Sequence, residues 1–121
     1  MRFPELIIEN GSGLSRREQI SAGHMGQLLL AAYASPVMPE FVSSLPIAGV
    51  DGTLKNRFGE TPIKGMAHLK TGALNNVRAL AGYLLDKKKR RIVIVFFVNH
   101  EHANQAREAM DRLVHWVYDR H

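Results

Sequence analysis

The chain has 121 residues, enough for one domain with one hydrophobic core and too few for two; its 45% hydrophobic content is ordinary for a globular protein. A formal net charge of +5 admits anionic partners, and the absence of cysteine excludes disulfides, thiol catalysis and cysteine metal sites while leaving the compartment open. No apolar run is long enough to span a bilayer, and the opening MRFPELIIENGSG, with one arginine and a carboxylate inside its short apolar patch, does not read as a secretory signal.

Residues 5–8, ELII, read as a short strand or the end of a longer element, and the glycines of NGSG then force a turn. From Ser21, a suitable N-cap, SAGHMGQLLLAAYAS predicts a helix with Met25, Leu28, Leu29 and Ala32 on one side. Gly23 and Gly26 weaken its early turns and are expected to serve close packing. Pro36 and Pro39 stop that helix. PEFVSSL then predicts one or two turns of a second helix with proline in the first turn. Residues 47–65 are loop-rich, with glycine and proline throughout.

Three strands are expected next: AHLKTGAL (67–74), VRALAGYLL (77–85) and RIVIVFFVN (91–99). The third is apolar on both faces and is expected to be central and buried. The short links predict antiparallel neighbours, with the first strand at an edge. Residues 101–119 give the clearest helix: Ala103, Ala106, Met110, Leu113 and Val117 repeat at three and four, with Arg107, Glu108, Asp111 and Arg112 opposite. The fold class is α+β, helices followed by a three-stranded antiparallel meander and a C-terminal helix. Its sheet reads as part of a larger one. Residues 1–121 are expected to form a single domain.

KKKRR, residues 87–91, reads as a solvated turn between two strands, where lysines also discourage edge pairing. The competing reading is a binding surface for an anionic partner, but no aromatic residues interleave with the charges as on a single-strand nucleic-acid platform. Six histidines invite a metal reading, yet His100 and His102 are two apart and there is no H-E-x-x-H, so no metal is expected. His24 and His115 read as partly exposed helix residues. No serine lies in a G-x-S-x-G elbow, and GETPIKG lacks the order of a phosphate loop.

HLKTGAL, residues 68–74, remains. A lysine, a threonine hydroxyl and a glycine in succession suit a strand edge beside a cleft. The Lys70 ammonium polarises the site and attracts a carboxylate; the Thr71 hydroxyl can bind a substrate's terminal carboxylate. Gly72 allows close approach, and Ala73 offers a backbone N–H to an oxyanion. A peptide can then lie along the edge as an added strand. The bland alternative is a strand that ends in a glycine turn.

K-T-G is also a motif of penicillin-binding proteins and class A β-lactamases. ENGSGLSRREQISAGHMGQLL, LPIAGVDGTLKNRF and HLKTGALNNVRALAGYLL stand in the order that resembles the D-alanyl-D-alanine carboxypeptidases of the penicillin-binding protein 4 (S13 peptidase) group, from about residue 5 to the terminal helix. The resemblance implies the C-terminal portion of a transpeptidase-like domain in a serine β-lactamase/penicillin-binding-protein-like fold. It implies a serine-type carboxypeptidase or endopeptidase that acts on peptidoglycan stem peptides through an acyl-enzyme, binds β-lactam antibiotics, and uses no metal or organic cofactor and no nucleic acid. The location it implies is periplasmic, with peripheral contact with membrane or cell wall left open. Lys70 is then the catalytic residue that positions protons and the substrate carboxylate, and Thr71, Gly72 and Ala73 bind substrate. Asp51 reads as a turn-stabilising carboxylate, Gly11 and Gly13 as turn formers, and Ser15 or Ser21 as helix caps.

Two departures stand out. None of Ser12, Ser15, Ser21, Ser35, Ser43 and Ser44 has a lysine three positions on or an asparagine two positions on, so the family's S-x-x-K and S-x-N motifs, which lie upstream, are missing. The chain resembles only about the last quarter of the enzyme and is expected to be inactive alone. Ala73 also stands where family members usually carry serine or threonine. The alternative function is a non-enzymatic binding domain that uses hairpin 87–91 on an anionic partner.

Overall fold

A computed structural model describes residues 2–7, 20–74 and 76–120. The NGSG turn, Ser15 and the end of ELII lie outside the described residues. The elements run α1 (Ala22–Tyr33), α2 (Met38–Ser43), a 3-10 turn at Gly52–Leu54, β1 (Ala67–Leu74), β2 (Val77–Leu85), β3 (Arg91–Asn99), a 3-10 turn at Ala103–Gln105, and α3 (Ala106–Asp119). Ser21 caps α1, its hydroxyl accepting the His24 N–H at 3.2 Å. Pro39 sits in the first turn of α2, where its missing N–H is not needed. Among the described residues no helix is long and apolar enough to cross a membrane.

The sheet has the order β1-β2-β3 and is antiparallel throughout, with Leu69 opposite Gly82, Lys70 opposite Ala81, and Ala81 opposite Val95. Alternation sends Ala67, Leu69, Leu80, Leu84 and Ile94 to one face. There they form a core with Met110 and Val114 of α3 and with Ala48, Leu54, Phe58 and Ile63 of the 46–66 segment. Tyr83 points to the other face, towards α1 and α2. Its hydroxyl donates to the Leu29 carbonyl at 2.6 Å, and its ring meets Tyr33 and Phe41 at 5.4 and 6.4 Å. Burial, and then the neighbouring Tyr33, push the Tyr83 phenol above its ordinary pKa.

The hairpin between β2 and β3 turns at Lys89, which takes φ of 65°. Asp86 organises it from within. One carboxylate oxygen accepts the N–H groups of Lys88 and Arg90 at 2.9 and 2.8 Å, and the other accepts Arg90 Nε at 2.8 Å. The side chain is fully buried. Burial alone would raise its pKa, but these donors and the guanidinium outweigh it and hold the carboxyl below its ordinary value. Lys87, Lys88 and Lys89 are exposed around this buried centre.

Four expectations need correction. β3 is not central: β2 is, and among the described residues nothing pairs with the outer edge of β3. Its apolar residues on both faces reflect α1 against one face and α3 against the other, a matter of covered faces rather than paired edges. In α1 only Leu29 is buried, and Leu28 is 43% exposed. The helix meets the sheet along a narrow line through Leu29 and Tyr33, and Leu28 sits about 100° round from it. Gly23 and Gly26 show no close packing among the described residues, where a Cβ added at either meets nothing within 4 Å. In α3 the buried line runs through Met110 and Val114, leaving Leu113 exposed and turning Asp111 inward to an ion pair with Arg57.

Candidate active site

β1 has two edges. The inner one pairs with β2 along its whole length. Among the described residues the outer one is covered only at its start: the Ala48 N–H donates to the Ala67 carbonyl at 2.9 Å, the Leu69 N–H donates to the Pro46 carbonyl at 2.9 Å, and Ile47 bridges His68. Beyond Leu69, no backbone hydrogen bond reaches this edge among the described residues. Because Ala67 and Leu69 direct their backbone groups outward, strand alternation directs those of Thr71 and Ala73 outward too. The edge therefore opens where Lys70-Thr71-Gly72 begins. The Ala73 N–H faces the same side as the open Thr71 N–H.

The side chains divide between the faces. Lys70 shares the Tyr83 face with His68 and Gly72, and Thr71 shares the core face with Leu69 and Ala73. Lys70 is exposed and bends back round the strand, its Nζ donating to the Thr71 carbonyl at 2.8 Å. It makes no ion pair among the described residues. The ammonium thus sits at the Thr71 carbonyl, on the edge that carries the outward backbone groups. Gly72 also faces the neighbouring strand closely. A Cβ there would lie 3.3 Å from the Ala79 Cβ across the ladder, so its bareness is already used by the neighbouring strand.

Three features had no clear signal in the sequence. The Thr71 hydroxyl is hydrogen-bonded to that of Thr53 at 2.9 Å. His68 Nδ1 is buried without a hydrogen-bond partner among the described residues. The segment that carries Thr53 is tied to α3 by the ion pair of Arg57 with Asp111, the Arg57 guanidinium also lying 5.7 Å from the Phe58 ring centroid. Arg57 and Asp111 are 54 residues apart, so no local pattern links them. Asp51 does what a turn carboxylate should: its Oδ1 accepts the Ile47 N–H at 2.6 Å, which stiffens the segment that covers β1. Among the described residues no group of three or more histidine, aspartate or glutamate side chains is placed to hold a metal ion.

Comparison with known proteins gives this edge a context. The model of the D-Ala-D-Ala carboxypeptidase 3 (S13) family matches residues 1–119. The D-alanyl-D-alanine carboxypeptidase of an Actinomadura species is 39% identical over 84 residues, 65% of this chain and 16% of that protein. The D-alanyl-D-alanine carboxypeptidase DacB of Haemophilus influenzae is 33% identical over 101 residues, 82% of this chain and 21% of that protein. The crystal structure of penicillin binding protein 4 from Haemophilus influenzae, complexed with a β-lactam, superposes with a TM-score of 0.83 at 27% identity, covering 98% of this chain and 30% of the other. The helices, three-stranded antiparallel sheet and terminal helix are thus those of a penicillin-binding fold. The chain spans about a fifth of the length of the curated relatives it matches, and it belongs to the D-Ala-D-Ala carboxypeptidase 3 (S13) family.

Proposed function

We propose that this chain is the C-terminal portion of the transpeptidase-like domain of a periplasmic serine D-Ala-D-Ala carboxypeptidase or endopeptidase acting on peptidoglycan stem peptides. The observation that carries the reading is the outer edge of β1, unpaired among the described residues from Lys70 onward, with the ammonium and the Ala73 N–H on it. A stem peptide adds to that edge as a further strand. The serine of an upstream S-x-x-K motif attacks the carbonyl carbon of the penultimate D-alanine, and the Ala73 N–H holds the oxygen that becomes negative. The carbon–nitrogen bond breaks, terminal D-alanine leaves with a proton on its nitrogen, and water hydrolyses the ester that remains. Thr71 and Lys70 hold the terminal carboxylate. The exposed bond from Lys70 to the Thr71 carbonyl is readily exchanged for this one. Penicillins acylate the same serine, and the chemistry needs no metal or organic cofactor.

The alternative, a binding domain that uses the basic hairpin on an anionic surface, has Lys87, Lys88 and Lys89 in its favour. Arg90 is already committed to Asp86. Labelled penicillin separates the two. The full-length protein is expected to form a stoichiometric adduct at an upstream serine, and this chain alone none, by mass spectrometry. An adduct on the isolated chain would mean that it holds a nucleophile of its own. No adduct on the full-length protein would favour the binder.

A further inference from the structure

Thr53 lies outside the K-T-G tripeptide, yet its hydroxyl is 2.9 Å from that of Thr71. Several constraints hold it there. Asp51 closes the preceding turn by accepting the Ile47 N–H. Gly52 takes φ of +56°, and an added Cβ would come within 3.0 Å of the Pro46 side chain. Leu54, the next residue, is fully buried. The same segment is bound to β1 through Ala48 and Leu69, so Thr53 and Thr71 ride on one hydrogen-bonded unit.

A hydroxyl has one proton to give and lone pairs that accept. Once Thr71 gives its proton to a carboxylate, its oxygen can still accept, and Thr53 stands at the right distance to donate. We propose that Thr53 is a positioning residue for carboxylate recognition. In the structure Thr71 donates to the Thr53 oxygen; when a carboxylate takes the Thr71 proton, Thr53 turns its own O–H onto Thr71 and so fixes the Thr71 rotor with its proton aimed off the open edge. The carboxylate, Thr71 and Thr53 then form a short chain in which each bond polarises the next. Ala73 contributes no hydroxyl, which leaves Thr71 more dependent on this support. The inference rests on the reading of the β1 edge as the peptide site.

The test uses the full-length enzyme, a penicillin, and the methyl ester of that penicillin, which lacks the anionic carboxylate. The readout is the ratio of the two acylation rate constants, with thermal midpoints as the folding control. Thr53→Val is expected to lower the ratio about tenfold, the scale of one hydrogen bond in a charged network, with little change in midpoint. Thr53→Ser, which keeps the hydroxyl, is expected to restore it. The proposal is overturned if Thr53→Val leaves the ratio unchanged while Thr71→Val lowers it. It is equally overturned if Thr53→Val slows both acylations alike, which is the signature of a disturbed loop. If Thr71→Val itself leaves the ratio unchanged, the reading of the edge fails, and the role of Thr53 fails with it.

Discussion

β1 is one strand with two unlike halves. From Ala67 to Leu69 both edges are paired, and the side chains of Ala67 and Leu69 are fully buried in the core. From Lys70 to Ala73 only the inner edge is paired among the described residues, and the side chains are exposed or half-buried. The change happens within one residue, where the Pro46–Ala48 segment leaves the strand. An unpaired edge is normally a liability that invites aggregation. Here it carries a lysine and a threonine and ends beside a glycine. The first half makes the strand rigid, and that rigidity keeps the outward backbone donors of the second half in place. Such preorganised donors are what acyl transfer needs for a developing oxyanion.

The sharpest way to break this comparison uses two glycines, Gly82 facing the first half from β2 and Gly72 within the second. Gly82 lies opposite Leu69, and an added Cβ would sit 2.0 Å from the His68 carbonyl oxygen. Gly82→Ala must push β2 away from the buried half, and it is expected to cost on the order of 4 kcal/mol or more. Gly72→Ala, with its 3.3 Å contact to a single methyl group, is expected to cost about 1 kcal/mol or less. Denaturant unfolding of both variants of the full-length protein checks this. Equal losses would mean that the two halves are equally integral to the fold.

Next in size is Lys70→Ala. An exposed strand-edge lysine makes few packing contacts, so the expected loss of stability is on the order of 0.5 kcal/mol or less. The expected loss of penicillin acylation is roughly a hundredfold or more, through lost charge stabilisation in the transition state. A variant that melts early, or that acylates at the unmutated rate, would make Lys70 a structural residue.

The smallest effect concerns the hairpin, a polar turn that is closed where the β1 edge is open. Asp86 has its donors already, and its folded pKa lies below its ordinary value. The stability it contributes is therefore present above the unfolded aspartate pKa of about 3.9 and lost as the pH falls through the folded value. The thermal midpoint is expected to drop on acidification below about pH 4. Asp86→Asn is expected to flatten that part of the profile and to leave acylation at neutral pH unchanged. A slower acylation in that variant would tie the hairpin to the site.

Much of this was legible in the residues. Alternation and short links gave the meander, the serine before α1 gave its cap, and the tripeptide pointed to the edge of β1. Each depends on neighbours a few residues apart, where local sterics and hydrogen bonding decide the outcome. The errors came where that locality ends. A strand apolar on both faces looks the same in sequence whether it is central or, like β3, sits between two helices at an edge. The burial of Val114 rather than Leu113 depends on how α3 is rotated about its axis, which packing against the sheet sets. The pairing of Arg57 with Asp111, the covering of β1 by Pro46–Ala48 and the meeting of Thr53 with Thr71 all join distant segments. The sequence by itself determined which strand carries the lysine, the threonine and the glycine. Only the tertiary structure decided that the covering segment stops at Leu69, because the reach of that segment is set by the burial of Leu54, the turn at Gly52 and the anchor on α3.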